Sequence, residues 1–183
     1  MKAIIALSSL RKGCSRDMAT YISPYFLPKK YFITSGKGED PVSTLNAFDL
    51  ALKDAGIEHL NIVPVSSILP EDSEEIEYTR IAPGTVVFVV MARQDGYGDE
   101  EITAGLAWGF AQGDGEKYGF VVEDHGYKSV EDCKEMLKRK IERMAEIRDM
   151  KLLWVKYRIE SLKVKRNMFG SVVSVLVFLP PFP

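Results

Sequence analysis

The run GTVVFVVM, residues 84–91, decides the fold class of this chain. It is rich in β-branched residues and apolar on both faces, which is typical of a strand buried in the middle of a sheet. Another apolar run, residues 60–65, indicates a second strand before it. Residues 44–55 have helical periodicity, so strands and helices are mixed along the chain. We therefore expect the α+β class, arranged most simply as a layered sandwich.

The helix over residues 44–55 has recognisable ends. Ser43 or Thr44 can cap its start, and Gly56 can end it. Its expected buried face consists of four apolar residues, Leu45, Phe48, Leu52 and Ala55. Upstream, residues 30–35 predict a short strand, which we expect to end at a turn over residues 36–38.

Downstream of the central run, two helices and three strands are expected. Asp99 can cap a helix over residues 100–112, whose many small residues suggest the close approach of another backbone. Residues 117–123 predict a strand, and Ser129 caps the longest helix, whose acidic first turn suits a helix start. The basic run at residues 138–140 is expected to be a solvated face of that helix. The tail, residues 154–164 and 171–179, is expected to be a hairpin.

Composition limits the function classes. The chain has 183 residues, 46% hydrophobic and 27% charged, which is typical of a globular protein. Its net charge of −2 gives no basic excess for binding nucleic acid or an anionic membrane. No apolar run is long enough to span a bilayer, and Arg11 follows the short apolar start where a secretory signal would need small residues. We expect an N-terminal extension over residues 1–27, which packs loosely or caps a neighbouring subunit, and a single domain over residues 28–183.

The few cysteines and histidines indicate neither a disulfide framework nor a metal site. Cys14 and Cys133 are far apart, and His59 and His125 do not lie at zinc-binding spacing from them. We therefore expect a reducing, cytoplasmic setting and no metal.

The residues that most directly suggest chemistry are the adjacent serines Ser66 and Ser67, at the end of the 60–65 strand. The hydroxyl of Ser67 can attack the carbonyl of Ser66 and convert the peptide bond into an ester. Elimination leaves a dehydroalanine, and hydrolysis leaves a pyruvoyl group, a ketone that fills the electron-sink role of a cofactor. The alternative for such a pair is an ordinary hydroxyl-rich turn.

Three further residues are candidates for a site. Glu123 ends an apolar strand, where burial would raise its pKa and make it a proton donor near neutral pH. Asp49 projects from the edge of the 44–55 helix and could pair with a guanidinium. Asn61 could hold a carbonyl or an oxyanion at the cleavage point. The alternatives are a solvated carboxylate for Glu123, a surface aspartate for Asp49 and a hydrogen bond to a nearby turn for Asn61.

Four segments together resemble the pyruvoyl-dependent arginine decarboxylase family: residues 28–36, 45–49, 55–57 and 60–70. The most specific part is the pairing of Asn46-Ala47-Phe48-Asp49 with Asn61 and the Ser66-Ser67-Ile68 segment downstream. Weaker similarity continues over residues 98–109, 119–126 and 158–161. The resemblance therefore covers most of the chain after residue 27.

This resemblance implies a role for each candidate residue. Ser66 would end a β chain of residues 1–66, and Ser67 would become the pyruvoyl cofactor at the head of an α chain of residues 67–183. Asn61 would lie beside the pyruvoyl group, Asp49 would pair with the substrate guanidinium, and Glu123 would be the proton donor.

The resemblance also implies an architecture and a reaction. The expected fold is a four-layer αββα sandwich with largely antiparallel sheets, assembled as trimers or pairs of trimers with active sites between subunits. The expected reaction converts L-arginine into agmatine and carbon dioxide, for polyamine synthesis. Two alternatives stay open: a pyruvoyl decarboxylase acting on another amino acid such as histidine, and an uncleaved, non-catalytic trimeric relative.

Overall fold

The computed structural model describes residues 27–179. They form two packed sheets, each with one helix on its outer face. Within the two sheets, neighbouring strands form seven pairings, of which five are antiparallel and two are parallel. The expected α+β sandwich with largely antiparallel sheets is therefore confirmed. Residues 1–26, which include Cys14 and nearly all of the expected N-terminal extension, lie outside the described residues.

The first sheet has five strands in the order β2-β5-β9-β1-β4. Its strands are β1 (Lys30–Asp40), β2 (Asn61–Pro64), β4 (Glu74–Glu75), β5 (Val86–Tyr97) and β9 (Phe169–Phe178). Helix α1 (Thr44–Asp54) packs on its outer face. The buried strand expected over residues 84–91 is β5, and it lies inside this sheet between β2 and β9.

The second sheet has four strands in the order β3-β7-β6-β8. Its strands are β3 (Ile68–Leu69), β6 (Glu101–Gly113), β7 (Glu116–Gly126) and β8 (Lys151–Lys163). Helix α2 (Val130–Ile147) covers its outer face and buries Cys133, Leu137, Ile141 and Ala145. The hydroxyl of Ser129 accepts a hydrogen bond from the Asp132 amide at 3.1 Å, as expected for the cap of this helix. Neither helix in residues 27–179 is long and apolar enough to cross a membrane.

The structures of α1 and β1 each differ from expectation in one respect. Three of the four residues expected on the buried face of α1 do face the core, because Ala55 is buried and Phe48 and Leu52 pack against it. Leu45 is wrong, since it is 71% exposed, and Ala47 and Ala51 are buried instead. No turn interrupts β1 at residues 36–38, because this strand continues to Asp40. A Cβ atom at Gly36 would lie 2.2 Å from the Ala51 carbonyl oxygen, so these small residues let the helix lie directly on the strand.

The helix expected over residues 100–112 is wrong, since this segment is strand β6. Both of its faces are covered: Leu106 and Trp108 face the core between the sheets, and Ala107 and Ala111 face α2. A short apolar run of this kind is equally consistent with a buried helix and a buried strand. The small residues do mark close approach, because a Cβ at Gly109 would lie 2.0 Å from the Trp154 carbonyl oxygen of β8.

The expected tail hairpin is also wrong. Strand β8 pairs with β6 in the second sheet, whereas β9 lies between β5 and β1 in the first sheet. The link between β8 and β9 therefore crosses from one sheet to the other. Hydrophobic patterning identified both strands but gave no information about which strand each of them pairs with.

Candidate active site

The Ser66–Ser67 peptide bond lies where the chain crosses between the two sheets. Strand β2 ends at Pro64 in the first sheet, and β3 begins at Ile68 in the second. Ser66 is exposed and Ser67 is half-buried. The two serines therefore occupy a short link that is fixed at both ends by sheet structure.

Three backbone hydrogen bonds hold this link. The Val65 amide donates to the Val89 carbonyl oxygen at 2.9 Å, and the Val121 amide donates to the Ser67 carbonyl oxygen at 2.9 Å. The Ile68 amide donates to the Ser66 carbonyl oxygen at 3.2 Å, which closes a three-residue turn around Ser67. A donor at this oxygen polarises the carbonyl and would stabilise negative charge on the oxygen if the carbonyl carbon were attacked.

A cavity of about 530 Å³ joins Ser67 to Glu123. It lies between β7 and α2, and its other lining residues are Val121, Val122, Arg139, Lys140, Arg143, Met144, Ile147 and Arg148. The structure therefore places Ser67 and Glu123, which the sequence singled out separately, at the border of one cavity.

The environment of Glu123 favours its protonated form. Burial raises its pKa above the ordinary value, and the charges of His125 and Lys140 oppose that rise without cancelling it. A glutamate with a raised pKa keeps its proton closer to neutral pH than a solvated glutamate does. Glu123 is consequently better suited to donate a proton than the solvated carboxylate of the alternative interpretation.

The next residue, Asp124, ties this end of β7 to α2. Its carboxylate is buried and accepts hydrogen bonds from Lys128 at 2.8 Å and Lys140 at 2.7 Å. Burial disfavours the charged form, but the two lysines outweigh it and lower the pKa of Asp124. Lys140 also donates to the carbonyl oxygen of Glu123 at 2.7 Å.

The contact of Lys140 with β7 was not expected from the sequence. Its neighbours Lys138 and Arg139 are 62% and 66% exposed, as expected for a solvated helix face. Lys140 differs because its side chain contacts β7. Its partners there, Asp124 and Glu123, lie 16 and 17 positions earlier in the sequence. No spacing rule links residues so far apart, so the sequence contains no signal that could have identified the contact.

Ser66 lines a different cavity. This second cavity, of about 650 Å³, is mostly apolar and adjoins the other side of the cleavage link. Its lining includes Val65, Ile68, Val86, Phe88, Tyr118 and Phe178. The two adjacent serines therefore line two different cavities.

Asn61 and Asp49 do not line either of these cavities. Asn61 is exposed on β2, and its side-chain amide donates to the Gly84 carbonyl oxygen at 2.8 Å. Asp49 is exposed on α1, which lies on the outer face of the first sheet. Within one chain, the residues expected to form the site thus fall into a group beside the cleavage link and a group on the first sheet.

Comparison with known proteins agrees with the resemblance in the sequence. A family model described as pyruvoyl-dependent arginine decarboxylase matches residues 30–181. The chain belongs to the pyruvoyl-dependent arginine decarboxylase family. A protein of that name from Methanopyrus kandleri is 36% identical over 152 residues, covering 83% of this chain and 97% of the relative. Pyruvoyl-dependent arginine decarboxylase 2 of Archaeoglobus fulgidus is 35% identical over 158 residues, covering 84% of this chain and 98% of the relative.

Membership in this family implies a covalently bound pyruvoyl group, and the residues at the sheet crossing fit it. Ser67 follows the exposed residue Ser66, and it lines a cavity of about 530 Å³. The Ile68 amide already contacts the carbonyl oxygen that cleavage would attack. The proton donor suggested by the sequence lines the same cavity.

Proposed function

We propose that this chain cleaves itself between Ser66 and Ser67 and then decarboxylates L-arginine to agmatine and carbon dioxide. The observation that supports this most strongly is the cavity shared by Ser67 and Glu123. One of these residues can generate an electron-accepting ketone, and the other can supply a proton. The relatives from Methanopyrus kandleri and Archaeoglobus fulgidus are named for the same activity.

Self-cleavage begins at the three-residue turn. The Oγ atom of Ser67 attacks the Ser66 carbonyl carbon, while the Ile68 amide stabilises the charge that develops on the carbonyl oxygen. The peptide C–N bond breaks and the nitrogen takes up the hydroxyl proton, which leaves an ester. Loss of the α-proton of residue 67 and departure of the Ser66 carboxylate give dehydroalanine. Addition of water and release of ammonia leave the pyruvoyl group on an α chain of residues 67–183, separated from a β chain of residues 1–66.

The other residues of the proposed site act on the bound substrate. The pyruvoyl group, once formed, supplies the electron sink for decarboxylation of an amino acid. Glu123 delivers a proton to the carbon that has lost carbon dioxide. Asn61 orients the carbonyl next to the reacting centre, and Asp49 pairs with the guanidinium of arginine.

The placement of Asp49 and Ser67 in different layers of the fold supports an active site built from two copies of the chain. Helix α1 presents Asp49 on the outside of the first sheet, whereas Ser67 lines a cavity bordered by α2 and the second sheet. We propose that the processed domain, residues 28–183, assembles as a homotrimer or a pair of trimers. In that assembly, Asp49 of one copy faces Ser67 and Glu123 of the next. The setting that we propose is cytoplasmic, with agmatine used for polyamine synthesis.

Denaturing intact-mass analysis of three proteins tests the cleavage. The wild-type chain should give two fragments that break between Ser66 and Ser67, with a pyruvoyl group heading the larger one. Ser67→Ala should remain a single chain, because the attacking hydroxyl is gone. Ser66→Ala is the matched control and should still cleave, since its carbonyl and not its hydroxyl takes part.

A wild-type chain that stays uncut on long incubation would leave only the non-catalytic interpretation.

For the cleaved protein, carbon dioxide release is then measured with arginine, histidine and lysine in parallel. Release from arginine alone supports the proposed substrate. Preference for histidine would assign the chain to a different pyruvoyl-dependent reaction.

A further inference from the structure

The edge of strand β7 beside Glu123 lacks a neighbouring strand within residues 27–179. Strand β3 pairs with β7 only at Gly119 and Phe120, and the Ser67 carbonyl extends the contact to the Val121 amide. Beyond this point, Val122 and Glu123 of β7 line the cavity. An unpaired strand edge is free to shift unless other groups hold it, and a long basic side chain is one way in which proteins cover such an edge.

Lys140 makes the contact that holds this edge. Its ammonium donates to the Glu123 carbonyl oxygen at 2.7 Å and to a carboxylate oxygen of Asp124 at 2.7 Å. The Asp124 side chain is only 6% exposed, and Lys128 holds its other oxygen at 2.8 Å. A single lysine on α2 thus binds both the main chain of Glu123 and the anchored side chain of its neighbour.

Three other basic residues line the cavity, and the structure records no hydrogen bond from any of them to the main chain of β7. Arg148 lies over the ring of Phe120 at 5.2 Å. Arg139 pairs with Glu135, and Arg143 pairs with Glu146 at 3.0 Å. Both of these pairs lie within α2, so they do not connect the helix to the strand. The direct hydrogen bond to Glu123 distinguishes Lys140 from them.

We infer that Lys140 is a positioning residue for Glu123. Successive side chains of a strand point to opposite faces, so fixing Asp124 against α2 directs Glu123 to the other face. The hydrogen bond to the Glu123 carbonyl fixes the peptide between the two residues. Lys140 therefore sets the direction in which the side chain of the proposed proton donor leaves β7, on the face of the strand that carries Val121. This inference rests on the proposed function, because Lys140 can position a proton donor only if Glu123 has that role.

A double-mutant cycle tests the inference on the self-cleaved enzyme. Lys140→Met should lower kcat for arginine by about 10- to 100-fold, since small displacements of a catalytic group have effects of this size. KM should change by less than about 2-fold, because a positioning residue does not contact the substrate. In the Glu123→Gln background, Lys140→Met should have almost no further effect on kcat.

Three comparison variants or measurements complete the design. Lys138→Met removes a charge from the same helix and should leave kcat unchanged. Lys140→Arg keeps a charged donor of similar length and should retain most of the activity lost in Lys140→Met. Hydrogen exchange over residues 121–126 should accelerate in Lys140→Met and not in Lys138→Met, a readout that does not depend on turnover.

Each contrary result identifies a different failure. Equal falls in kcat in both backgrounds would show that Lys140 acts independently of Glu123, and a rise in KM alone would make it a substrate contact. If Lys140→Met does not self-cleave, Lys140 acts in the cleavage reaction at Ser67 and not in positioning Glu123. If the wild-type protein does not decarboxylate arginine, the proposed function fails, whereas unchanged hydrogen exchange in Lys140→Met overturns only this inference.

Discussion

At the scale of single residues, the burial of Glu123 predicts how kcat/KM for arginine depends on pH. Burial raises its pKa, and His125 and Lys140 only partly oppose the rise. A proton donor works while it holds its proton, so kcat/KM for arginine should fall as the pH rises through this raised pKa. Because the pKa is above that of a solvated glutamate, the fall should come at a higher pH than an exposed carboxylate would give.

Glu123→Gln should remove that pH dependence and lower turnover by about 10²- to 10⁴-fold, the usual contribution of a general acid. Self-cleavage should proceed in this variant, which separates the two reactions. Glu142→Gln is a suitable control, because this glutamate is a half-exposed residue on α2 that pairs with Lys138 at 3.9 Å. Wild-type rates with an unchanged pH profile in Glu123→Gln would remove this residue from the mechanism.

At the scale of elements, the sequence predicted those segments whose local signals agree. The cap at Ser129 and the acidic first turn after it predicted α2 correctly, and the β-branched run at residues 84–91 predicted the start of β5. The prediction for residues 100–112 failed because periodicity does not distinguish a helix from a strand when an apolar segment is buried on both faces. The length of β1 was underestimated because Gly36 and Gly38 indicate a turn locally. In the fold they instead make room for α1.

The glycines of β6 lead to a prediction about stability. Gly109→Ala should destabilise the protein by about 1–3 kcal/mol, because the added methyl would overlap the Trp154 carbonyl of β8. Gln112→Ala, at an exposed position of the same strand, should change stability by less than about 0.5 kcal/mol. Chemical denaturation of the two variants measures the difference. Equal stabilities would mean that β8 can move away from β6 without cost.

At the scale of the whole molecule, one chain does not gather the residues proposed for the site in one place. Ser67 and Glu123 share a cavity because β3 and β7 are neighbours in the second sheet. Asn61 and Asp49 lie on β2 and α1, which belong to the first sheet and its outer layer. Motif spacing identifies such residues, but it does not reveal which layer each occupies or whether a second copy must complete the site.

Subunit complementation tests whether the site is shared between copies. Asp49→Ala and Glu123→Gln should each be nearly inactive alone. If Asp49 of one copy serves Glu123 of another, a randomly mixed assembly of the two variants contains sites with both native residues. In a closed ring of equal composition, about a quarter of the sites would be intact. Co-expression should therefore restore about a quarter of the wild-type rate, measured as carbon dioxide release from arginine. No recovery in properly assembled mixed particles would require both residues of a site to come from the same chain, and the two-copy arrangement would then be wrong.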